Sequence, residues 1–306
     1  MIRYVLAAVI FVCFASTHGR AAIVDDTPRI AVMSAFPPEL AKLIDRADET
    51  GSYVINGVTF KVGQLEGHQV VMFLSGVSMV NAAMTAQLAL DHFEITDIVF
   101  SGIAGGVDPE LAIGDVVVAE RWAQYLEVVM ARETEQGWQV PPFFDYAGEN
   151  FGMMHPRAVS VVTPRAEEPE EKFWFDTDPD LLAVARSIAD TVELAECAIR
   201  AEDACLGHTP RFVVGGNGVS GGAFVDNAEF REHTFLTFRA QVLDMESAAV
   251  AHVAYANQTP FIAFRSLSDL AGGGGAENEI GTFFQLASDN AASVVTAFLA
   301  ALPTDR

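Results

Sequence analysis

Basic residues are scarce in this sequence. Its 306 residues include 18 Lys and Arg against 41 Asp and Glu, a formal net charge of -23. A surface that negative repels nucleic-acid phosphates and anionic lipid, so neither is expected as a partner. The charge by itself implies no more than a well-solvated exterior. Cysteine is equally sparse, three in all, and neither a CxxC pair nor an HExxH helix occurs. The usual zinc spacings are therefore missing, and no metal or cofactor is expected. Beyond the N-terminus no uncharged apolar run approaches the roughly 20 residues that span a bilayer. Intrinsic disorder is also excluded, because 51% of the residues are apolar and only 19% charged.

What is present begins with a leader. Arg3 precedes an apolar run from Tyr4 to Ala15, and Gly19-Arg20-Ala21 offers the small residues that a signal peptidase reads. Residues 1–21 thus read as a signal peptide, predicting a periplasmic or secreted protein that is free of the membrane once the leader is removed. An uncleaved anchor is the competing reading, although the run is short for one. Val12 precedes Cys13 where a lipoprotein would carry a small residue. Removing the leader leaves Cys197 and Cys205, which an oxidising compartment tends to pair. Two free thiols are the alternative.

The remaining residues, 22–306, alternate β-branched apolar runs with helical stretches. Strands are expected at Arg29–Ser34, Val58–Leu65, Gln69–Ser75, Asp97–Gly102, Asp115–Tyr125, Arg211–Val219, Gln241–Asp244 and Pro260–Ser268. Helices are expected from Pro37 to about Arg46, and over Val77–His92, Met245–Ala256 and Ile280–Leu302. A glycine-rich turn is expected over Gly102–Gly106. From about 126 to 210 the character changes, with Pro141-Pro142, the acidic run Glu167–Glu171 and one helix near Leu181–Ala189. This stretch reads as a long insertion. The pattern predicts one α/β domain whose central sheet is mixed, mostly parallel and flanked by helices. Ligands of such sheets lie beyond the carboxyl ends of strands. Three carboxylates occupy such places: Glu39 after the first strand, Glu246 opening a helix and Asp269 following an apolar strand. Position alone leaves open that Glu39 and Glu246 merely complement helix dipoles and that Asp269 is a turn residue.

Longer stretches narrow the choice. LDMESAAVAHVA (Leu243–Ala254), FRSLSDLA (Phe264–Ala271), FSGIAGGVDPELAIGDVVV (Phe100–Val118), GVSGGAFVDN (Gly218–Asn227) and RIAVMSAFPPEL (Arg29–Leu40) occur in this order. Together the chain resembles the nucleoside phosphorylase/nucleosidase superfamily, most closely its methylthioadenosine/S-adenosylhomocysteine nucleosidases and bark-storage-like members. The resemblance implies cleavage of the N-glycosidic bond of a purine nucleoside. Asp269 would protonate the base, so its pKa would lie above the usual ~3.9. Ser268 would orient that carboxyl, and Arg265 would brace the loop. Glu246 would accept hydrogen bonds from the ribose hydroxyls, and Met245 would pack under the sugar. Phe224 would stack on the base, the Val225 backbone would read its edge, and Ala104 and Gly105 would line the pocket. A homo-oligomer, with a dimer favoured, is expected from the same resemblance.

Glu39 bears on the nucleophile. In the nucleosidase branch a Glu at this position activates water, whereas phosphorylases carry arginines for phosphate. No Lys or Arg occurs from Ile30 through Ala41, and Phe100-Ser101 precede the glycine segment. A phosphate dianion would be poorly paired there, which favours hydrolysis. Phosphorolysis, and storage or nucleoside binding without turnover, are the alternatives. The chain departs from the nucleosidases at Ile103, where they usually carry Ser, and at Phe36, where they often carry Met. Gly218-Val219-Ser220-Gly221-Gly222 also matches the GxSxG elbow of α/β-hydrolases, but no His follows Asp269 to complete such a triad.

Overall fold

The computed structural model describes residues 23–197, 205–275 and 277–304. The leader and Cys13 lie outside the described residues. The sheet is built outward from β1 (Asp25–Ser34), whose second half is buried throughout. Such burial requires cover on both faces, as in the middle of a parallel sheet. Pro37, Pro38 and Glu39 then open α1 (Pro37–Arg46). Both prolines sit in the first turn, where the missing N–H costs no helical bond. A meander follows, β2 (Asp48–Ile55), β3 (Val58–Leu65) and β4 (His68–Leu74), antiparallel within itself and parallel to β1 through β4.

After α2 (Met79–His92), β5 (Phe93–Gly106) runs for 14 residues. It pairs in parallel with β1 along its first half and with β18 (Phe261–Asp269) along its second. Its last residues, Gly105 and Gly106, pair antiparallel with Leu243 and Val242 of β17 (Ala240–Asp244). One strand thereby gathers the ends of two others. Next come β6 (Val116–Val118) and β7 (Arg121–Gln124). Three small ladders follow: β8 (Val128–Met130) with β11 (Met154–Pro156), β9 (Arg132–Thr134) with β10 (Gly137–Gln139), and β12 (Val159–Val161) with β13 (Glu170–Lys172). β14 (Phe175–Asp176) joins the main sheet beside β7, and α3 (Pro179–Ile188) starts on an Asp178 cap. The chain continues through β15 (Phe212–Val214), β16 (Asn217–Ser220), α4 (Ala228–Phe238), β17, α5 (Ser247–Asn257) and β18 to α6 (Ile280–Ala301). The main path of the sheet is β14-β7-β16-β17-β5-β1-β4-β3-β2, with β18, β6 and β15 branching from β5. Helices α2 and α5 cover one face through Ala82, Ala86, Ala248 and Ala251. On the other, α1, α3 and α6 bury Leu40, Leu43, Leu181, Val295 and Phe298. The fold is the expected α/β architecture with a mixed sheet between helical layers.

The local departures have physical causes. Gly102–Gly106 is the end of β5, not a turn. Asp115–Tyr125 is two strands, as is Arg211–Val219, and the breaks coincide in space. Glu120 N–H donates to the Gly216 carbonyl at 2.9 Å, and Gly215 and Gly216 take φ of 139° and 71°. These left-handed positions suit glycine, and they let the β6–β15 pair bend together into the β7–β16 pair. Val77 and Ser78 precede α2 rather than opening it. Elements that were not expected are β2, α4 and, within the 126–210 stretch, the seven short strands β8 to β14. Cys197 and Cys205 are disulfide-bonded, with Cα atoms 4.0 Å apart. Among the described residues no helix is long and apolar enough to cross a membrane.

Candidate active site

The carboxyl ends of β1, β5, β17 and β18 surround a cavity of about 670 Å³, measured to its open mouth. Glu39, Glu246 and Asp269 all line it. So do Met245, Phe224, Val225, Ala104, Gly105 and Ser268, together with Phe36, Val77, Ile103 and Ile280. Arg265 does not: its side chain is fully buried behind the wall.

Glu39 reaches the cavity by folding back over the start of α1. Its Oε2 accepts from the Ala35 N–H at 2.7 Å and the Phe36 N–H at 3.3 Å, and Oε1 accepts from the Ile103 N–H at 2.8 Å. Three backbone donors hold one carboxylate at the junction of β1 and β5. Burial pushes its pKa up, while Arg265 and these donors pull it down, leaving it above the ordinary value. Position 102 has to be glycine here. A Cβ would sit 1.9 Å from Arg265 Nη1 and 2.6 Å from Glu39 Oε1.

Glu246 is the residue immediately before α5, and its Oε1 accepts from the Ser78 N–H at 2.7 Å. Ser78 presents that N–H from φ 80°, ψ 159°, a conformation that side chains seldom adopt. Burial and the neighbouring Asp244 charge push Glu246 up to about 7. Asp269 closes β18. Its Oδ1 accepts from the Ala271 N–H at 2.8 Å, and Oδ2 accepts from the Ser268 hydroxyl at 2.9 Å. Ala271 itself takes a left-handed φ of 51° to offer that N–H. Burial raises the Asp269 pKa against these donors. Burial thus favours the protonated form of a group that can give a proton.

The expected brace by Arg265 on the Asp269 loop is replaced by a different arrangement. Its Nε lies 2.7 Å from Asp244 Oδ2 and donates to Ser247 Oγ at 2.9 Å. Nη1 is 4.0 Å from Glu39 and Nη2 is 4.0 Å from Glu246, while the guanidinium lies 4.1 Å over the Phe100 ring. One buried cation therefore faces three carboxylates. Asp244 is the residue that sequence reasoning passed over. Its carboxylate also receives the Ser220 and Ser247 hydroxyls, and the Glu246 and Ser247 N–H groups at 3.1 Å. The D of DMES, one residue before Met245, was the available signal. Ser220, the centre of the GxSxG match, is fully buried; it bonds Asp244 and accepts from the Ala248 N–H at 2.8 Å. It is a strut between β16 and α5, not an exposed nucleophile.

The phosphorylase superfamily model matches residues 29–300. A 5′-methylthioadenosine/S-adenosylhomocysteine nucleosidase of Mycobacterium tuberculosis is 29% identical over 274 residues, covering 90% of this chain and 96% of its own. Bark storage protein B of Populus deltoides is 28% identical over 270 residues, covering 84% and 82%. In three dimensions the chain resembles the 5′-methylthioadenosine/S-adenosylhomocysteine nucleosidase of Neisseria meningitidis, solved in complex with methylthio-immucillin-A. The TM-score is 0.67 at 24% identity, over 90% of this chain and 99% of that one. The family model spans nearly the whole of the chain, and the chain belongs to the phosphorylase superfamily.

Proposed function

We propose that the protein is a nucleosidase that hydrolyses the N-glycosidic bond of a purine nucleoside, namely 5′-methylthioadenosine, S-adenosylhomocysteine or a related adenine nucleoside. The observation that carries this reading is the cavity's charge. Four carboxylates line it, Glu39, Asp244, Glu246 and Asp269, and among the described residues no Lys, Arg or His does. A phosphate dianion entering it would meet only negative charge, since Arg265 is buried and paired with Asp244. Water needs no such counter-charge.

The chemistry follows from the two ends of the site. Glu246 accepts the ribose hydroxyls and Met245 packs below the sugar. Asp269 gives its proton to the imidazole nitrogen of the purine, and the electrons of the C1′–N9 bond pass into the departing base. A water oxygen bonds to C1′ of the cationic sugar, and its proton passes to Glu39. One carboxyl protonates the leaving group while the other activates water, as in inverting glycosidases. Phe224, Phe36, Val77 and Ile280 give the cavity an apolar wall suited to the base and to an apolar 5′ substituent.

The experiment is base release from a panel of adenosine, inosine, methylthioadenosine and S-adenosylhomocysteine, with and without phosphate. Release independent of phosphate is expected, fastest for an adenine nucleoside. A strict phosphate requirement would make the protein a phosphorylase. Binding without release would place it with a storage role.

Two further readings belong with this one. The leader at 1–21 and the Cys197–Cys205 bond both support export to the periplasm or medium. The exposed Val77, Val80 and Met84, at the mouth of the cavity and along α2, support a homodimer that covers this face. Fractionated cells should yield mature protein outside the cytoplasm, sedimenting as a dimer. Full-length cytoplasmic protein would contradict export, and a monomer would contradict the dimer.

A further inference from the structure

The segment from Leu270 to Glu279 joins the acid-bearing end of β18 to α6 and contains Gly272–Gly275. Its near end is clamped. Asn227 N–H donates to the Ala271 carbonyl at 3.1 Å, and a Cβ on Gly272 would lie 2.3 Å from that nitrogen. Its far end is held by one side chain, Asn278. The Asn278 Oδ1 accepts from the Ile280 N–H at 3.0 Å, capping the start of α6. Its Nδ2 donates to Asp226 Oδ1 at 3.0 Å and faces Asp269 Oδ1 at 3.5 Å. The amide can be oriented only one way, because its nitrogen faces two carboxylates and its oxygen faces an N–H. Asn278 therefore links the acid to the segment beside Val225 and to Ile280, and both of those residues line the cavity.

Resting on the hydrolytic reading above, we infer that Asn278 is a positioning residue for the acid: with the Ala271 N–H it makes Asp269 Oδ1 the accepting oxygen and leaves Oδ2 to carry the proton to the base. The Ser268 hydroxyl fits this division. Its Oγ is 2.9 Å from Asp269 Oδ2 and 3.4 Å from the Ala104 carbonyl. When Oδ2 is protonated the hydroxyl turns to Ala104, and when Oδ2 is ionised it turns back. Other charged groups around Asp269 are Glu279 at the start of α6, Asp226 across from Asn278, Asp244, Glu246 and Glu39 in the cavity wall, and Arg231 of α4, which packs on Gly273 and donates to the Gly106 carbonyl at 2.9 Å. All but Arg231 are acidic, and Arg231 is turned to the Gly106 carbonyl, so the amide supplies a donor where carboxylates would otherwise repel.

The test uses Asn278→Ala and Asn278→Ser; the serine keeps an acceptor for the Ile280 N–H and so preserves the start of α6. Asp269 is titrated by carboxyl 13C NMR in the ligand-free protein, with Asp269→Asn providing the assignment. Loss of the donor should raise the Asp269 midpoint by about half a unit or more. It should also lower kcat about tenfold, with KM within about twofold, because orientation is lost while ribose binding is kept. An unmoved Asp269 midpoint in both variants overturns the inference. If the wild-type protein releases no base from any nucleoside, the hydrolytic reading fails, and the titration still decides whether Asn278 engages the acid.

Discussion

Replacing Asp269 by Asn lowers kcat for base release by about 10²–10⁴-fold, the usual contribution of a positioned acid. The amide keeps the shape of the carboxyl and an oxygen for the Ala271 N–H, which now lies 2.8 Å from Oδ1. It has no proton to give. The departing purine must then leave as an anion, while the sugar cation develops as before. Nucleoside affinity should stay within a few-fold, because Glu246, Met245 and Phe224 are untouched. The pH dependence has a definite sign. Burial holds the Asp269 pKa above the ordinary value, and the protonated form is the active one. The wild-type rate should therefore fall as pH rises through that raised pKa, and this alkaline limb should vanish in Asp269→Asn. Single-turnover base release across pH, with binding measured by calorimetry, checks both parts. Wild-type turnover in the variant would remove Asp269 from the chemistry.

Glu39→Gln should cost a similar factor, about 10²–10⁴ in kcat, from the other side of the sugar. Here the active form is the anion, so the acid limb of the profile is the one affected. Glu39 is not alone on that limb. Arg265 faces Glu39, Glu246 and Asp244 together, and Glu246 is pushed up to about 7. Protons leave such a cluster in steps that belong to the group as a whole. Activity should rise as pH climbs toward neutrality, and Glu39→Gln should flatten that rise. A glutamine also turns one NH2 toward donors, either the Ala35 and Phe36 N–H groups or that of Ile103. Thermal unfolding of the variant is therefore measured beside its rate. A folded Glu39→Gln protein with a wild-type rate and an unchanged acid limb would rule out Glu39 as the base.

Much of this site could be read from the sequence because its parts lie at element boundaries. Two prolines fixed the start of α1, and with it the position of Glu39 in the first turn. The apolar pattern predicts a strand to Ser268, and β18 ends one residue later, at Asp269 itself. What could not be read depends on contacts between distant segments. Gly102 looked like a turn residue, yet it lies in β5 because Arg265 and Glu39 occupy the space where its side chain would be. The strained Ser78 was taken into a helix, since nothing local announces that its N–H is owed to Glu246. Helix α4, AEFREHTFLTF, buries only Thr234 and Phe238, too few to show a periodic stripe. The resemblance implies that Arg265 braces the loop after β18. Its actual partners, Asp244 and Ser247, come from a different strand and helix.

The central claim is that water, not phosphate, attacks the sugar. Identifying the sugar product of base release in buffer with and without phosphate tests it, because water gives a free reducing sugar and phosphate a sugar 1-phosphate. Free reducing sugar is expected, formed at the same rate when phosphate is omitted. Sugar 1-phosphate, formed only when phosphate is present, would contradict it.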